Sequence, residues 1–157
     1  MTEERSEDRA RVMIRPPILL LLCLLAGLGG HAVIPLAFVP EALAVPVGAA
    51  LVVASIGLFV WAVRTMLGAG QSLPTHEPTT AIVRAGPYGR GRNPIYLAFC
   101  GLQLGIAVWV NGVALLASAV VCFWVLQKGV VEREEAYLTA KFGEPYRAYQ
   151  REVRRWL

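Results

Sequence analysis

Polar sequence is what this chain has least of. Asp, Glu, Lys and Arg together supply only 17% of its 157 residues, against 56% apolar residues, and mean hydropathy is positive at +0.54. That shortage leaves no room for a separate soluble domain and reads as an integral membrane protein in one domain, residues 1–157. Metal-ligating and nucleophilic residues are equally scarce. The chain has two histidines, His31 and His76, which stand apart, and three cysteines, Cys23, Cys100 and Cys122, each inside an apolar run. None has metal-ligand spacing, so no metal is expected and the thiols read as small packing residues. A Gly-rich phosphate cradle, a Ser-His-Asp set and a dinucleotide fingerprint are also missing, which removes the usual signatures of hydrolysis and hydride transfer.

What is present in quantity is hydrophobic sequence, in four runs. A membrane-spanning helix needs about 20 residues, roughly 17 to 25. The spacing predicts spans over 18–38, 45–66, 94–110 and 113–128. Pro16-Pro17 suit the start of the first, and Pro46 falls in the first turn expected for the second. A cleaved signal peptide is the alternative for the first run, since Arg11 and Arg15 precede it. The run continues through Val33, Ile34, Leu36 and Phe38, beyond a signal core, so a retained span is favoured. Only Asn111-Gly112 separates the last two runs, which implies a tight antiparallel hairpin. The fold class expected is therefore an all-α membrane protein of about four helices.

All 15 basic residues fall before the first run, between the last turn of the second and the start of the third, or from the end of the fourth onward. The two opposite connections contain none, so the positive-inside rule puts both termini and the long middle loop in the cytoplasm, the inner membrane if the source is bacterial. This topology accounts for the net charge of +4 without a nucleic-acid partner.

Polar residues then gather at one face. The Gly- and Pro-rich segment 68–92 is expected to be an irregular cytoplasmic loop with a short extended run at Ala81 to Val83. In "RNPIY", Asn93 can cap the third helix, Pro94 suits its first position and Tyr96 the interfacial belt. After the fourth run, Glu132, Glu134 and Glu135 stand where the helix is expected to leave the membrane, opposing the macrodipole. Pairing with Lys141 along a solvated face would explain them structurally. The hairpin, however, returns them to the depth of Asn93-Pro94, which assembles the makings of a polar pocket beside an apolar one. Over 132–155, Leu138, Phe142, Tyr146, Tyr149, Val153 and Trp156 recur at helical steps, so an interfacial amphipathic helix interrupted at Gly143 and Pro145 is expected.

The two blocks "VRAGPYGRGRNPIY" and "EREEAYLTAKFGEPYRAYQREV", separated by a helical hairpin, resemble the isoprenylcysteine carboxyl methyltransferase family and its phospholipid methyltransferase relatives. The likeness runs from about Thr80 to Val153, with Asn93 where the family usually has His. The resemblance implies a methyltransferase dependent on S-adenosyl-L-methionine. Thr80, Ala81, Ile82, Val83, Tyr88, Asn93, Pro94 and Tyr96 would line the cofactor site, and Glu134 would supply a carboxylate to it. A lipophilic small-molecule or prenylated acceptor would enter from the bilayer among the membrane lipids, between the hairpin and the first two spans. The activity implied is most like carboxyl O-methylation of an isoprenylcysteine, with N-methylation of a phospholipid amine as the alternative. In the first case Arg92 or Arg133 would steer a carboxylate; in the second Glu132 or Glu135 would take a proton. A non-catalytic lipid- or partner-binding bundle is the competing class, but it leaves the glutamates and the paired blocks unexplained. The topology is checked by placing a cysteine at Gly112: a membrane-impermeant thiol label is expected to react with it only from outside, and labelling only from inside would invert the assignment.

Overall fold

The computed structural model describes residues 12–71 and 80–157, so Arg5, Arg9, Arg11 and His76 lie outside the described residues. Among the described residues the chain is helical, with one isolated bridge, Gly91 to Arg154, and no strand. Helix α1 covers Pro16–Val33 and α2 covers Glu41–Gly68. A short 3-10 turn, Gly86–Gly89, precedes α3, Pro94–Val110. Helix α4, Val113–Leu126, passes through a π segment, Gln127–Val131, directly into α5, Glu132–Phe142, and α6 covers Glu144–Glu152.

Three of these boundaries differ from the expectations, each for a local reason. Helix α1 stops at Val33, short of 38, because Ile34 precedes Pro35; it adopts an extended φ of −131°. Helix α2 begins at Glu41, directly after Pro40, where its carboxylate favours the positive end of the helix dipole. Pro46 thus sits in the second turn. The third difference matters most. The polypeptide does not leave its helix near residue 128 but continues to Phe142, so Glu132, Glu134 and Glu135 lie within a continuous helical run and not at its end.

Among the described residues three helices are long and apolar enough to cross a membrane: Pro16–Val33, Glu41–Gly68 and Val113–Phe142; α3 is a shorter apolar helix of 17 residues. The 30-residue run 113–142 is about 45 Å long at 1.5 Å per residue, against a hydrocarbon thickness of about 30 Å. Its last third, which carries Glu134 and Glu135, is thus more than the hydrocarbon thickness requires. Large apolar side chains such as Leu21, Leu25, Val53 and Ile56 face outward, the arrangement suited to a lipid solvent.

The helices pack in the order α1, α4, α3, α2, so the hairpin forms the middle of a row and the two N-terminal helices its edges. Small residues set these contacts, as expected where lipid removes the hydrophobic drive between helices. A Cβ on Gly48 would lie 2.5 Å from the Trp109 amide nitrogen, and one on Gly27 would lie 2.5 Å from Ser118 Oγ. Asn111 closes the hairpin in the left-handed region (φ 55°), a conformation Asn tolerates better than most residues. Its side chain accepts from the Phe38 and Val39 amides at 2.9 and 3.0 Å and donates to the Val39 carbonyl at 2.9 Å. The hairpin tip is thereby fixed to the α1–α2 connection, which sets the depth of the opposite end.

Gly48→Ala is expected to lower stability by about 1–3 kcal/mol, because the added methyl meets backbone that cannot yield. Gly29→Ala, with open space at its Cβ, is expected to leave thermal unfolding in detergent unchanged or slightly improved.

Candidate functional site

At the charged end of the row, the turn Gly86–Gly89 brings the loop against α2. Gly86 has φ 56°, and a Cβ there would lie 2.9 Å from Thr65 Oγ1, so a residue without a side chain is required on both counts. The turn buries Tyr88, whose carbonyl accepts a 2.7 Å hydrogen bond from the buried Tyr149 hydroxyl of α6. Tyr146 and Tyr149 thus face protein, so α6 packs as a roof over the loop and does not present those rings to lipid. The amphipathic stretch 132–155 is accordingly two helices, divided at Gly143 with φ 61°.

The C-terminal strand of chain after α6 runs back beside residues 91–93. The Arg92 amide donates to the Arg154 carbonyl at 2.9 Å, and the Asn93 side-chain amide donates to the Arg155 carbonyl at 3.0 Å. Gly91 leaves no space for a Cβ, which the Trp156 carbonyl would occupy. Asn93 stands at the N-cap position of α3, but its side chain makes no capping bond. The expectation of a side-chain cap fails because the amide is spent on the C-terminal segment. Trp156 in turn donates from its indole to Gln127 Oε1 at 3.0 Å, and the Met13 amide donates to the Gly129 carbonyl at 3.0 Å. Both ends of the described chain are therefore fastened to the π segment, a wider turn of the kind often found at functional sites.

These contacts focus on two adjacent glutamates with opposite surroundings. Glu135, whose side chain is 8% exposed, accepts from Arg92 Nη2 at 2.8 Å and from Arg155 Nη2 at 2.8 Å and Nε at 3.1 Å. Arg92 also donates to the Gln150 and Val153 carbonyls at 3.2 and 2.6 Å, closing the C-terminal end of α6. One carboxylate thus joins the loop, α5, α6 and the C-terminal segment. Glu134 has a different partner, the Tyr96 hydroxyl, which donates to its Oε1 at 2.7 Å. Among the described residues no cation offsets its charge, and burial pushes its carboxyl up to about 7; the Tyr96 hydrogen bond acts in the opposite direction and the Glu135 charge adds to the rise.

Of the residues singled out in the sequence, Tyr88, Arg92, Asn93, Pro94, Tyr96, Glu134 and Glu135 come together here, and Val83 packs against the same core. Thr80 and Ala81 are exposed and held by Gln71, while Ile82 is half-buried. Arg133 is exposed on α5. Sequence reasoning gave Arg155, Gln71 and Gln127 no part in the site; their signal is a partner that is 20, 9 and 29 positions distant.

The family model for phospholipid methyltransferases matches residues 43–145, from α2 through the loop, the hairpin and α5. The chain belongs to the phospholipid methyltransferase family. Within the matched region lie Glu134, Glu135, Tyr96 and Arg92; Arg155 and Trp156 lie beyond it. An uncharacterized protein of Haemophilus influenzae is 33% identical over 63 residues, which is 40% of this chain and all of that protein. No solved structure matches. The protein is thus a membrane methyltransferase by family, and its paired glutamates lie within the matched residues.

Glu135→Leu alone strands Arg92 in a buried position and is expected to cost about 3–5 kcal/mol in unfolding experiments. Adding Arg92→Met, which removes the stranded charge, is expected to recover part of that loss, whereas an additive double variant would contradict the ion-pair reading.

Proposed function

We propose that this protein transfers the methyl group of S-adenosyl-L-methionine to a lipophilic acceptor at the charged, cytoplasmic end of the helix row. The observation that carries this reading is Glu134, a half-buried carboxylate answered by a tyrosine hydroxyl and, among the described residues, by no cation. The donor set fits the group. S-adenosyl-L-methionine bears a sulfonium and an ammonium against one carboxylate, a net charge of +1, so one uncompensated glutamate completes the balance. The buried Nε of Arg92, without a hydrogen-bond partner among the described residues, offers a further donor in the same cluster.

When bound, the cofactor supplies a methyl group already activated by positive sulfur; the protein's work is binding, orientation and exclusion of water. Glu134 would face the positive charge, with Tyr96 fixing the orientation of its carboxylate. Tyr88 and Val83 would close the apolar side, and Asn93 with Pro94 the edge at the start of α3. Arg92 and Glu135 would act by holding loop, helix and C-terminal segment in register.

Among acceptors, an amine-bearing phospholipid suits the site better than an isoprenylcysteine carboxylate. A carboxylate acceptor needs a free guanidinium beside the donor, and both arginines that reach the glutamates are already committed to Glu135.

The test supplies membranes holding the protein with methyl-labelled S-adenosyl-L-methionine, together with phosphatidylethanolamine vesicles or a farnesylcysteine analogue. Label is expected in the lipid amine; label in the farnesylcysteine ester would support the carboxyl alternative, and label in neither would defeat the methyltransferase reading. Donor affinity is expected to strengthen as pH rises through about 7, because Glu134 must lose its proton to meet a cation. A flat profile between about pH 6 and 8 would contradict that role for Glu134.

A further inference from the structure

The end of α2 presents a side chain that neither the sequence motifs nor the glutamate cluster accounts for. Gly70, with φ 70°, turns the chain at the end of α2, and the Gln71 amide donates back to the Met66 carbonyl at 3.1 Å, the long bond of a Schellman closure. Gln71 is thereby fixed in place, and its side chain is buried although it is an amide, with the residue 7% exposed. Burial of that kind requires partners, and they are specific. Gln71 Oε1 accepts from two successive backbone amides, Thr80 at 2.9 Å and Ala81 at 3.1 Å, while Gln71 Nε2 donates to Thr80 Oγ1 at 2.8 Å. Thr80 and Ala81 begin the segment that leads through Val83 into the core shared with Tyr88 and Tyr96.

We infer that Gln71 is a positioning residue for the methyl donor: its carboxamide sets the register of Thr80–Val83 against the Tyr96–Glu134 pair. This inference rests on the functional reading above. Thr80 and Ala81 are exposed and belong to no helix or strand, and among the described residues Gln71 is the side chain that accepts from both of their amides. One oxygen accepting two successive amides fixes both peptide planes at once, which a single contact would not. Because the segment touches the site through Val83, its displacement would loosen donor binding without altering the groups that face the reacting atoms.

The test compares the full chain with Gln71→Ala and Gln71→Glu in detergent or nanodiscs. Gln71→Ala removes both acceptor contacts and is expected to raise the donor KM about tenfold while kcat and the acceptor KM stay within about twofold. Gln71→Glu keeps an oxygen for both amides and is expected to restore most of the donor affinity. A donor KM unchanged in Gln71→Ala, or an equal loss of kcat and of both affinities, would overturn the inference. Amide hydrogen exchange without any donor gives a second measure: Gln71→Ala is expected to accelerate exchange at Thr80 and Ala81 at least tenfold, and unchanged protection there would equally overturn it. If the unmodified chain transfers no methyl group, the functional reading fails by itself, and the exchange experiment still decides whether Gln71 orders the segment.

Discussion

The charged end of this protein depends on one carboxylate. Glu135 is held between the guanidinium groups of Arg92 and Arg155, and through them it draws together the loop before α3, the C-terminal end of α6 and the last residues described. A buried carboxylate costs several kcal/mol to desolvate, so such a cluster adds little net stability compared with an apolar replacement. What it provides is geometry, because three segments distant in sequence can satisfy that charge in one arrangement. With Glu135 held between two guanidinium groups, its neighbour Glu134 is the carboxylate that meets no cation among the described residues.

The membrane-compatible part of the molecule serves this arrangement from the other direction. Lipid contributes no drive to bring apolar helices together, so contact is made where glycines let backbones approach, and Asn111 then ties the hairpin tip to the α1–α2 connection. The hairpin consequently delivers the start of α3 and the start of α5 to one level, where Tyr96 and Glu134 meet at 2.7 Å. The π segment carries the polypeptide from α4 into α5 without a break, and both Met13 and Trp156 are bonded to it. Orientation of the glutamates is thus determined jointly by the hairpin and by the two ends of the described chain.

Much of this was legible in the sequence, and the rest has a physical reason for being hidden. Apolar runs, the Asn-Gly break and the Gly-Pro-Tyr loop revealed the helices and the face on which chemistry gathers, because each is a local signal. The order of the row was not readable, since nothing in an apolar run states which neighbour Gly48 or Gly27 will meet. The glutamates looked like a helix leaving the membrane and opposing its own dipole. Tertiary partners 38 and 43 residues away satisfy them instead, so the helix continues. Asn93 looked like a cap because Asn before Pro usually is one; the C-terminal segment competes successfully for its amide. Arg155 looked like one more cytoplasmic charge, and only the returning chain shows its partner.

The account stands on Glu134 carrying the charge that meets the donor while Glu135 holds the structure. Isothermal titration of S-adenosyl-L-methionine into the purified protein tests this most directly, comparing Glu134→Gln with Glu132→Gln, whose native carboxylate pairs with Lys128 at the surface. The account predicts that Glu134→Gln weakens binding at least about tenfold with the melting temperature unchanged or raised, while Glu132→Gln binds within about twofold of the unmodified chain. Undiminished binding by Glu134→Gln would contradict it.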